Sequence, residues 1–323
     1  MAETVVLGID IGGSLTKIGL VTKEGSILDK TVFKTESQKP FPFFFEKLKS
    51  EVEKLISNLP PNVQVLSIGV GAPNANPYTG MVENPPNLKW GERTPVATVI
   101  EKAFKLPVSL ANDANAAALG EMLFGAAKGM KNFVTLTLGT GLGSGIVVHG
   151  KLVIGEHGAA GELGHVNVNP NGRSCNCGLQ GCLETYASVT GIRRTVFELL
   201  ANMREDSILR SFSFEELSGT AISAAALEGD PIALKAFEET GIILGSKMAD
   251  TVAHVDPEAF ILSGGLSKAG DILLNPIKTS MERKLFKAYK GKVAVVLATA
   301  TGADAILGPA ALAWLEAENI GLT

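Results

Sequence analysis

The sequence of 323 residues is poor in cysteine and has no concentrated charge. It contains only three cysteines, and 29 Lys and Arg against 33 Asp and Glu give a net charge of −4. The charged residues are interspersed, without the basic stretch that is typical of nucleic-acid-binding proteins. An odd number of cysteines is also a poor basis for structural disulfides. We therefore expect no nucleic acid partner and no disulfide framework.

Signals for export and membrane insertion are missing as well. The first residues, MAETVVLGID, enter a strand-like run without a basic segment, an apolar h-region or a cleavage site. The most apolar stretch, residues 293–315, is broken by Thr301, Gly302, Asp304 and Pro309. This pattern suits a buried strand followed by a helix better than a membrane span. We expect a cytoplasmic protein with no membrane partner.

Two common nucleotide-binding motifs are absent, although strands and helices alternate along the chain. No G-x-x-x-x-G-K-[ST] sequence occurs, and GTGLGSG is followed by a strand where a Rossmann unit needs a helix. The strand, glycine turn, strand pattern of residues 4–33 returns at residues 132–153. We therefore predict an α/β protein with two domains of related design.

Other segments allow a coarse secondary-structure prediction. Helices are predicted at 42–58 and 95–104, a strand at 63–70, and a strand passing into a helix at 106–123. A long helix is expected to end near Asp256, with a strand to Leu262 after it. Residues 69–90 are rich in Gly, Pro and Asn, and we expect a long loop that is functional or disordered.

Three glycine-rich turns follow apolar strands. They are DIGGS at 10–14 with Lys17 after it, LGTGLGSG at 138–145 with the hydroxyls of Thr140 and Ser144, and SGGLSKAG at 263–270. Backbone amides in such turns can approach phosphate oxygens closely. A single glycine pair more often makes only a hairpin turn. Three of them together predict a nucleotide held between the two domains.

Asp113 lies where a strand gives way to a helix in ANDANAAA. One interpretation is an N-cap, a position for which aspartate is among the preferred residues. The other is a catalytic carboxylate that accepts the proton of a substrate hydroxyl and is kept ionised by the helix dipole. The two roles are compatible.

All three cysteines lie in SCNCGLQGCLE, residues 174–184. Zinc takes four ligands in structural sites, and His165, ten residues before Cys175, is the nearest plausible fourth. Reduced thiols in a glycine-rich loop are the alternative, and a redox C-x-x-C next to a βαβ unit is missing. We predict a structural Zn²⁺ bound by His165, Cys175, Cys177 and Cys182.

Two glutamates flank this cluster. Glu162 lies three residues before His165, and Glu184 lies two residues after Cys182. Carboxylates accept paired hydrogen bonds from vicinal hydroxyls, as in a sugar, whereas most glutamates are only surface charge. A ligating imidazole can also donate from its other ring nitrogen. These residues predict a sugar pocket organised by the metal.

Five segments, in this order, resemble the ROK family of sugar kinases and repressors: DIGGSLTK, NDANAAA, LTLGTGLGSGIV, GELGH and CNCGLQGCLE. The resemblance covers nearly the whole chain. It implies the actin-like ATPase/hexokinase (ribonuclease H-like) fold, with two domains around a cleft, ATP with Mg²⁺, and phosphorylation of a hexose at its 6-hydroxyl. We then expect a first domain of residues 1–113, joined by a C-terminal helix at about 305–323, a second of residues 114–304, and a homodimer.

The resemblance also implies roles for single residues. Asp113 falls on the catalytic base. Sugar contacts fall on Asn112, Asp113, Glu162, His165 and Glu184; the first phosphate motif on Asp10, Gly12, Gly13, Ser14 and Lys17; the second on Thr140 and Gly141; and the adenosine motif on Gly264 and Gly265. The sequence departs from the family at Ser14, where threonine is usual, and at GAPNAN, residues 71–76, where G-x-P-G is more common.

Three hypotheses about function follow. The leading one is an ATP-dependent glucokinase. A sugar-responsive repressor is the second, but the chain starts directly at the first phosphate strand, leaving no room for an added helix-turn-helix. The third is a kinase for N-acetylmannosamine or N-acetylglucosamine, which shares every catalytic motif and differs only in the pocket around the 2-substituent.

Overall fold

The computed structural model describes residues 3–299 and 304–322. Within these residues the chain forms two compact units. The first unit draws on Met1–Gly129, Leu152–Ala160 and Thr299–Thr323, and the second on Met130–Lys151 and Gly161–Ala298. The first unit thus extends beyond residue 113, the boundary expected from the sequence.

The first unit is built on a five-stranded sheet. Its elements up to residue 129 are β1 (Glu3–Ile11), β2 (Leu15–Val21), β3 (Ile27–Lys34), α1 (Phe41–Ser57), β4 (Val63–Ala72), β5 (Ala75–Asn76), β6 (Met81–Glu83), β7 (Arg93–Thr94), α2 (Val96–Phe104), β8 (Val108–Asn112) and α3 (Asp113–Phe124). The strand order is β3-β2-β1-β4-β8, with β1, β4 and β8 parallel and the other pairs antiparallel. The carboxyl ends of three neighbouring strands therefore meet at one edge.

The second unit repeats this order. Its elements are β9 (Phe133–Leu138), β10 (Leu142–Val148), β11 (Lys151–Leu152), α4 (Glu184–Ala187), α5 (Val189–Asn202), α6 (Gly219–Leu227), α7 (Pro231–Val255), β12 (Ala259–Ser263), α8 (Asp271–Lys284) and β13 (Ala294–Leu297). The strand order is β11-β10-β9-β12-β13, with β9, β12 and β13 parallel and β9–β10 antiparallel. The two five-stranded sheets therefore have corresponding strand orders.

The last helix, α9 (Leu307–Asn319), belongs to the first unit and covers one face of its sheet. The backbones touch: a Cβ at Gly69 would lie 1.8 Å from the Pro309 carbonyl oxygen, so only glycine fits there. The indole Nε1 of Trp314 donates to the Thr22 carbonyl at 3.1 Å. On the opposite face, Leu7 and Ile9 are buried with residues of α1 and α2.

Helix α3 packs on α9 and on β4, which is why the first unit continues past residue 113. The stretch predicted as a loop at 69–90 contains the end of β4 and the short strands β5 and β6, and β6 also pairs with β7 just after it in a three-stranded sheet. The sequence did not indicate these short strands, because strands of two or three residues show no periodicity. Residues 300–303 of the predicted strand-helix stretch lie outside the described residues. Among the described helices, none combines the length and the apolarity needed to cross a membrane.

Candidate functional site

In the first unit, the predicted acidic residues gather at the carboxyl ends of the parallel strands. Asp10 near the end of β1 is aligned with Gly71 of β4, and Ala72 of β4 is aligned with Asn112 of β8. Asp113 follows as the first residue of α3. One sheet edge thus collects the first glycine turn and the candidate base.

Asp10 is half-buried and lies opposite Lys17 in the β1–β2 pair. Burial raises the pKa of this carboxyl from 3.8 to about 7, and the charge of Lys17 opposes the shift only in part. The negative charges of Asp113 and Asp304 raise the pKa further. Asp10 therefore titrates near neutral pH, which the sequence did not indicate.

The turn after Asp10 is held by a threonine that the sequence did not suggest. The Thr35 hydroxyl donates to the Gly12 carbonyl at 2.7 Å and lies 2.9 Å from the Thr16 hydroxyl, while the Thr35 amide donates to the Ser14 carbonyl at 3.0 Å. Ser14 is exposed, and a Cβ at Gly13 would lie 3.1 Å from that of Asn87. These contacts together hold the backbone of the turn.

The N-cap of α3 is Asn112, so the interpretation of Asp113 as the cap is wrong. The Asn112 Oδ1 accepts from the Ala114 amide at 2.9 Å, and the Asp113 Oδ1 accepts from the same amide at 2.8 Å. The Asp113 side chain is exposed, yet nearby protein atoms displace part of its water and raise the pKa of the carboxyl. The positive end of the α3 dipole would by itself lower this pKa, so the loss of water outweighs the dipole.

In the second unit, His165 and the three cysteines come together as predicted. Their ligand atoms all lie within 4.8 Å of one another; the Sγ atoms of Cys177 and Cys182 are 3.7 Å apart, and the His165 Nδ1 lies 3.8 Å from the Cys175 Sγ. A tetrahedral ion with bonds of about 2.3 Å to sulfur has edges of about 3.8 Å. The cluster therefore fits zinc in its donor atoms and in its spacing.

Backbone pairing holds residues 165–182, the metal-binding segment, which carries these four ligands. Asn167 and Cys182 form an isolated antiparallel bridge, and so do Ser174 and Gln180. Cys175 and Cys182 are buried whereas Cys177 is exposed. His165 ends a short 3-10 helix whose N-cap is Glu162, and Glu162 is exposed. The four ligand positions are thus set by the local fold.

Glu184, the first residue of α4, connects this cluster to the second glycine turn. Its Oε2 accepts from the Leu142 amide at 2.9 Å, and its Oε1 lies 3.8 Å from the Cys175 Sγ. A Cβ at Gly141 would lie 2.3 Å from Oε2. Glu184 is half-buried with defined partners, so the alternative of surface charge does not describe it.

The two glycine turns of the second unit lie side by side. They follow the parallel neighbours β9 and β12, and a Cβ at Gly264 would lie 2.6 Å from the Leu138 backbone. Gly265 follows at the start of a short 3-10 helix. Thr140 is exposed, and its carbonyl accepts from the Thr190 hydroxyl at 2.9 Å. The backbone groups of both glycine turns therefore lie together at the carboxyl ends of β9 and β12.

Ser144 does not face this edge, which corrects the sequence interpretation. Its side chain is buried, and its hydroxyl donates to the Gly161 carbonyl and accepts from the Leu163 amide at 3.1 Å. The hydroxyl therefore holds the segment that leads to His165. Alternation along β10 turned it away from the glycine turn.

Comparison with known proteins identifies the fold and its relatives. A model of the ROK family matches residues 6–316. The glucokinase of Halalkalibacterium halodurans is 37% identical over 286 residues, which cover 87% of this chain and 86% of that protein. The structure of a ROK family glucokinase from Streptomyces griseus in complex with glucose and AMPPNP has a TM-score of 0.82 and 34% identity, with 96% of this chain and 99% of that chain covered.

A regulator is similar as well. The structure of a ROK family transcriptional regulator, a homolog of the E. coli MLC protein, has a TM-score of 0.85 and 31% identity, and covers 96% of this chain and 78% of that chain. Enzymes and regulators therefore share this fold, and the residues of the site have to distinguish them.

Proposed function

We propose that this chain, which belongs to the ROK family, is an ATP-dependent glucokinase that phosphorylates the 6-hydroxyl of glucose. The observation that carries the proposal is Asp113, an exposed carboxylate of raised pKa at the sheet edge that also holds Asp10. A base with a raised pKa accepts a hydroxyl proton more readily than an ordinary aspartate. A transferase needs such a base, whereas a regulator that only binds sugar does not.

In the proposed reaction the 6-hydroxyl oxygen of glucose bonds to the γ-phosphorus of ATP. The bond from that phosphorus to the bridging oxygen breaks, ADP leaves, and Asp113 takes the hydroxyl proton. The Ala114 amide holds Asp113 Oδ1 in place, so the base is positioned before substrate binds. Most of the catalysis then comes from positioning and from stabilising charge on the phosphoryl group.

The sugar would be held by side chains that accept and donate at its hydroxyls. Glu184 uses one oxygen for the Leu142 amide, and a carboxylate has about four lone-pair positions, so it can still accept from sugar hydroxyls. Glu162 is proposed to do the same. His165, ligating through Nδ1, would donate from Nε2, and Asn112 would donate from its amide because its Oδ1 caps α3.

The nucleotide would be bound by the glycine turns. The proposed contacts are Gly12, Gly13, Ser14 and Lys17 in the first unit and Thr140, Gly141, Gly264 and Gly265 in the second. Backbone amides and Lys17 offset phosphate charge, and Asp10 is the carboxylate proposed to hold Mg²⁺. The bound ion would neutralise part of the charge on the phosphates.

Zinc is the metal proposed for the cluster of His165 and the three cysteines. With four protein ligands the ion would have no open position, so its contribution is structural. The four ligands would fix the imidazole ring of His165 and the start of α4, and thereby the position of Glu184.

The cytoplasm stays the predicted compartment of the protein, and cell fractionation tests it.

A substrate panel tests the proposed function. Purified protein with ATP and Mg²⁺ should release ADP with glucose, and the product should be glucose 6-phosphate by NMR. N-acetylmannosamine and N-acetylglucosamine are the informative competitors, because they share the 6-hydroxyl and differ at the 2-substituent. No ADP with any hexose would rule out a kinase, and turnover of an N-acetylated hexose alone would replace glucose as the substrate.

A homodimer completes the proposal, and a groove on the second unit is its candidate interface. The groove measures about 490 Å³ between α7 and α8 and exposes Leu234 and Ile242. Its rim carries two acids, Glu238 and Asp271, and two bases, Arg283 and Lys284. A two-fold-related copy can set the acids of one rim against the bases of the other, as an isologous contact requires.

A further inference from the structure

Arg173 is the charged residue between His165 and Cys175, and the roles proposed above do not use it. Its side chain is 13% exposed, which is unusual for a charged residue and needs compensating partners. It lies two residues before Cys175, within the segment that carries the metal ligands. The contacts of Arg173 therefore help to hold the metal-binding segment in place.

The guanidinium has a partner for every one of its five N–H donors. Nε donates to Glu198 Oε1 at 3.0 Å, Nη1 to the Thr185 carbonyl at 2.7 Å and the Gly191 carbonyl at 3.1 Å, and Nη2 to Thr195 Oγ1 at 3.0 Å and Glu198 Oε2 at 2.5 Å. Two of these bonds form a bidentate pair with one carboxylate, the stronger kind of charge-assisted contact. Such a set fixes both the position and the plane of the group.

Tyr186 adds two contacts to the same residue. Its ring lies 4.5 Å from the guanidinium carbon, a distance typical of cation–π contact. Its hydroxyl oxygen accepts from the Arg173 backbone amide at 3.1 Å. Backbone and side chain of Arg173 are therefore both tied to the segment that begins at Glu184.

These contacts join two parts of the proposed site. One end of Arg173 leads through the chain to Cys175, and the other holds the carbonyl of Thr185, which directly follows Glu184. Glu184 in turn accepts from the Leu142 amide of the second glycine turn. A movement of Arg173 would therefore reach the metal ligands, the sugar-binding carboxylate and the turn together.

We propose that Arg173 is a positioning residue that fixes the metal-binding segment to α4 and α5 and thereby sets the place of Glu184. The sugar-binding part of this role rests on the proposed function, whereas the metal-holding part does not. Lysine cannot replace it, because one ammonium group with three donors cannot reach five acceptors in a plane.

The experiment compares zinc release with sugar kinetics in the zinc-loaded protein. Zinc is displaced by excess chelator and followed with a metallochromic dye, and kcat and KM for glucose are measured separately. Arg173→Lys should release zinc about 10-fold faster or more, as expected when a residue that orients the ligands is lost. The glucose KM should rise by a similar factor, with a smaller change in kcat, because Asp113 is untouched.

Two arginines give matched controls. Arg194 donates a single bond to the Ser174 carbonyl of the same segment, at 2.9 Å. Arg210 donates to the carbonyls of Leu200, Met203 and Glu205, which lie away from the metal ligands. Arg210→Ala should lower the melting temperature but leave zinc release and glucose KM unchanged, and Arg194→Ala should have little effect on all three.

A second variant covers the case in which Arg173→Lys does not fold. Glu198→Gln keeps the shape of the acceptor and removes its charge, so it should move zinc release and glucose KM in the same direction by a smaller factor. The proposal is overturned if the folded variants release zinc at the wild-type rate, or if the wild-type protein binds no zinc. If wild-type protein makes no ADP from glucose, the glucokinase proposal fails, while faster zinc release from Arg173→Lys still supports the anchoring role.

Discussion

Asp10 and Asp113 are neighbouring carboxyl groups whose pKa values the fold raises. Desolvation is the largest cause for both, and the charge of Asp113 raises the pKa of Asp10 further. Ionisation of one group therefore makes ionisation of the other less favourable. A cation close to Asp10 would lower its pKa and leave Asp113 as the carboxyl that exchanges a proton with the substrate.

Asp113→Asn tests the base directly. Asparagine keeps the size and can still accept from the Ala114 amide, but it cannot take the hydroxyl proton. We expect kcat to fall by roughly 10²- to 10⁴-fold, while the glucose KM changes only a few-fold. Steady-state kinetics measures both, and Asp29→Asn, at an exposed aspartate of β3, is the control. A kcat within a few-fold of wild type would remove Asp113 from the mechanism.

Asp10→Asn tests the raised pKa through stability. Burial raises the pKa of Asp10 from 3.8 to about 7. Between these values the unfolded chain releases the proton and the folded chain keeps it, so the stability of the wild type falls as the pH rises. Above about pH 7 both states are ionised and the penalty is constant, up to about 4 kcal/mol at about 1.4 kcal/mol per pKa unit.

Asp10→Asn has no such titration. Its free energy of unfolding should therefore exceed that of the wild type by an amount that grows from about pH 4 to about pH 7 and is constant at higher pH. Urea unfolding at each pH measures the difference. Asp29→Asn, at an exposed aspartate of β3, is the control for the chemical change itself. A constant difference for Asp10→Asn would mean that its pKa is not raised.

Single residues differ in how far the sequence could identify them. The metal-ligand cluster was predictable because three cysteines occur within eight residues and the chain has no others. Thr35 and Arg173 were not, because their partners are brought to them by folding: Thr16 is 19 residues from Thr35, and Glu198 is 25 residues from Arg173. The N-cap was assigned one residue too late because Asn112 and Asp113 both suit that position.

At the scale of elements, the second glycine turn offers a matched pair of substitutions. A Cβ at Gly141 would lie 2.3 Å from Glu184 Oε2, whereas the nearest atom to a Cβ at Gly139 is 4.0 Å away. Gly141→Ala should displace the Glu184 carboxylate and lower kcat/KM for glucose by about 10-fold or more, as a misplaced binding group does. Gly139→Ala should stay within a few-fold. Equal losses in the two variants would mean that Glu184 is not the cause.

The metal-binding segment gives a second prediction at this scale. Metal analysis of protein purified without chelator should return about one zinc per chain. Cys177→Ser removes an exposed ligand, so it should lower the zinc content and raise the glucose KM about 10-fold or more. Ser174→Ala, at an exposed position in the same segment, is the control. Full zinc content and wild-type KM in Cys177→Ser would contradict the assigned ligand set.

Elements with a clear period were predictable and short ones were not. Helices α1 and α2 and strand β4 match the predicted segments to within two residues, since their buried positions recur regularly. Strands β5 and β7 have two residues each, too few to show alternation. Their pairing depends on loop geometry that composition does not specify.

For the whole molecule, the repeated strand order explains why the glycine turns come in related places. In each unit the first strand passes through a glycine turn into an antiparallel second strand, and the first strand pairs in parallel with the strand on its other side. The sequence repeat predicted two such halves. The repeat did not predict that β4 pairs with β1 and β12 with β9, because β4 and β12 join their sheets through long crossovers.

The homodimer is the remaining prediction at this scale. Light scattering should return about twice the chain mass of 33.7 kDa. Ile242→Glu puts a charge into the apolar groove between α7 and α8, so the burial of Ile242 against a second copy would become unfavourable. The variant should shift toward the mass of a single chain.

Leu227→Glu is the control for this shift. Leu227 is 67% exposed at the end of α6 and does not line the groove, so its variant should keep the wild-type mass. Because the rim carries both signs of charge, high salt should also weaken the association of the wild type. A wild-type mass of one chain would exclude the dimer. A dimer that persists in Ile242→Glu would place the interface elsewhere on the surface.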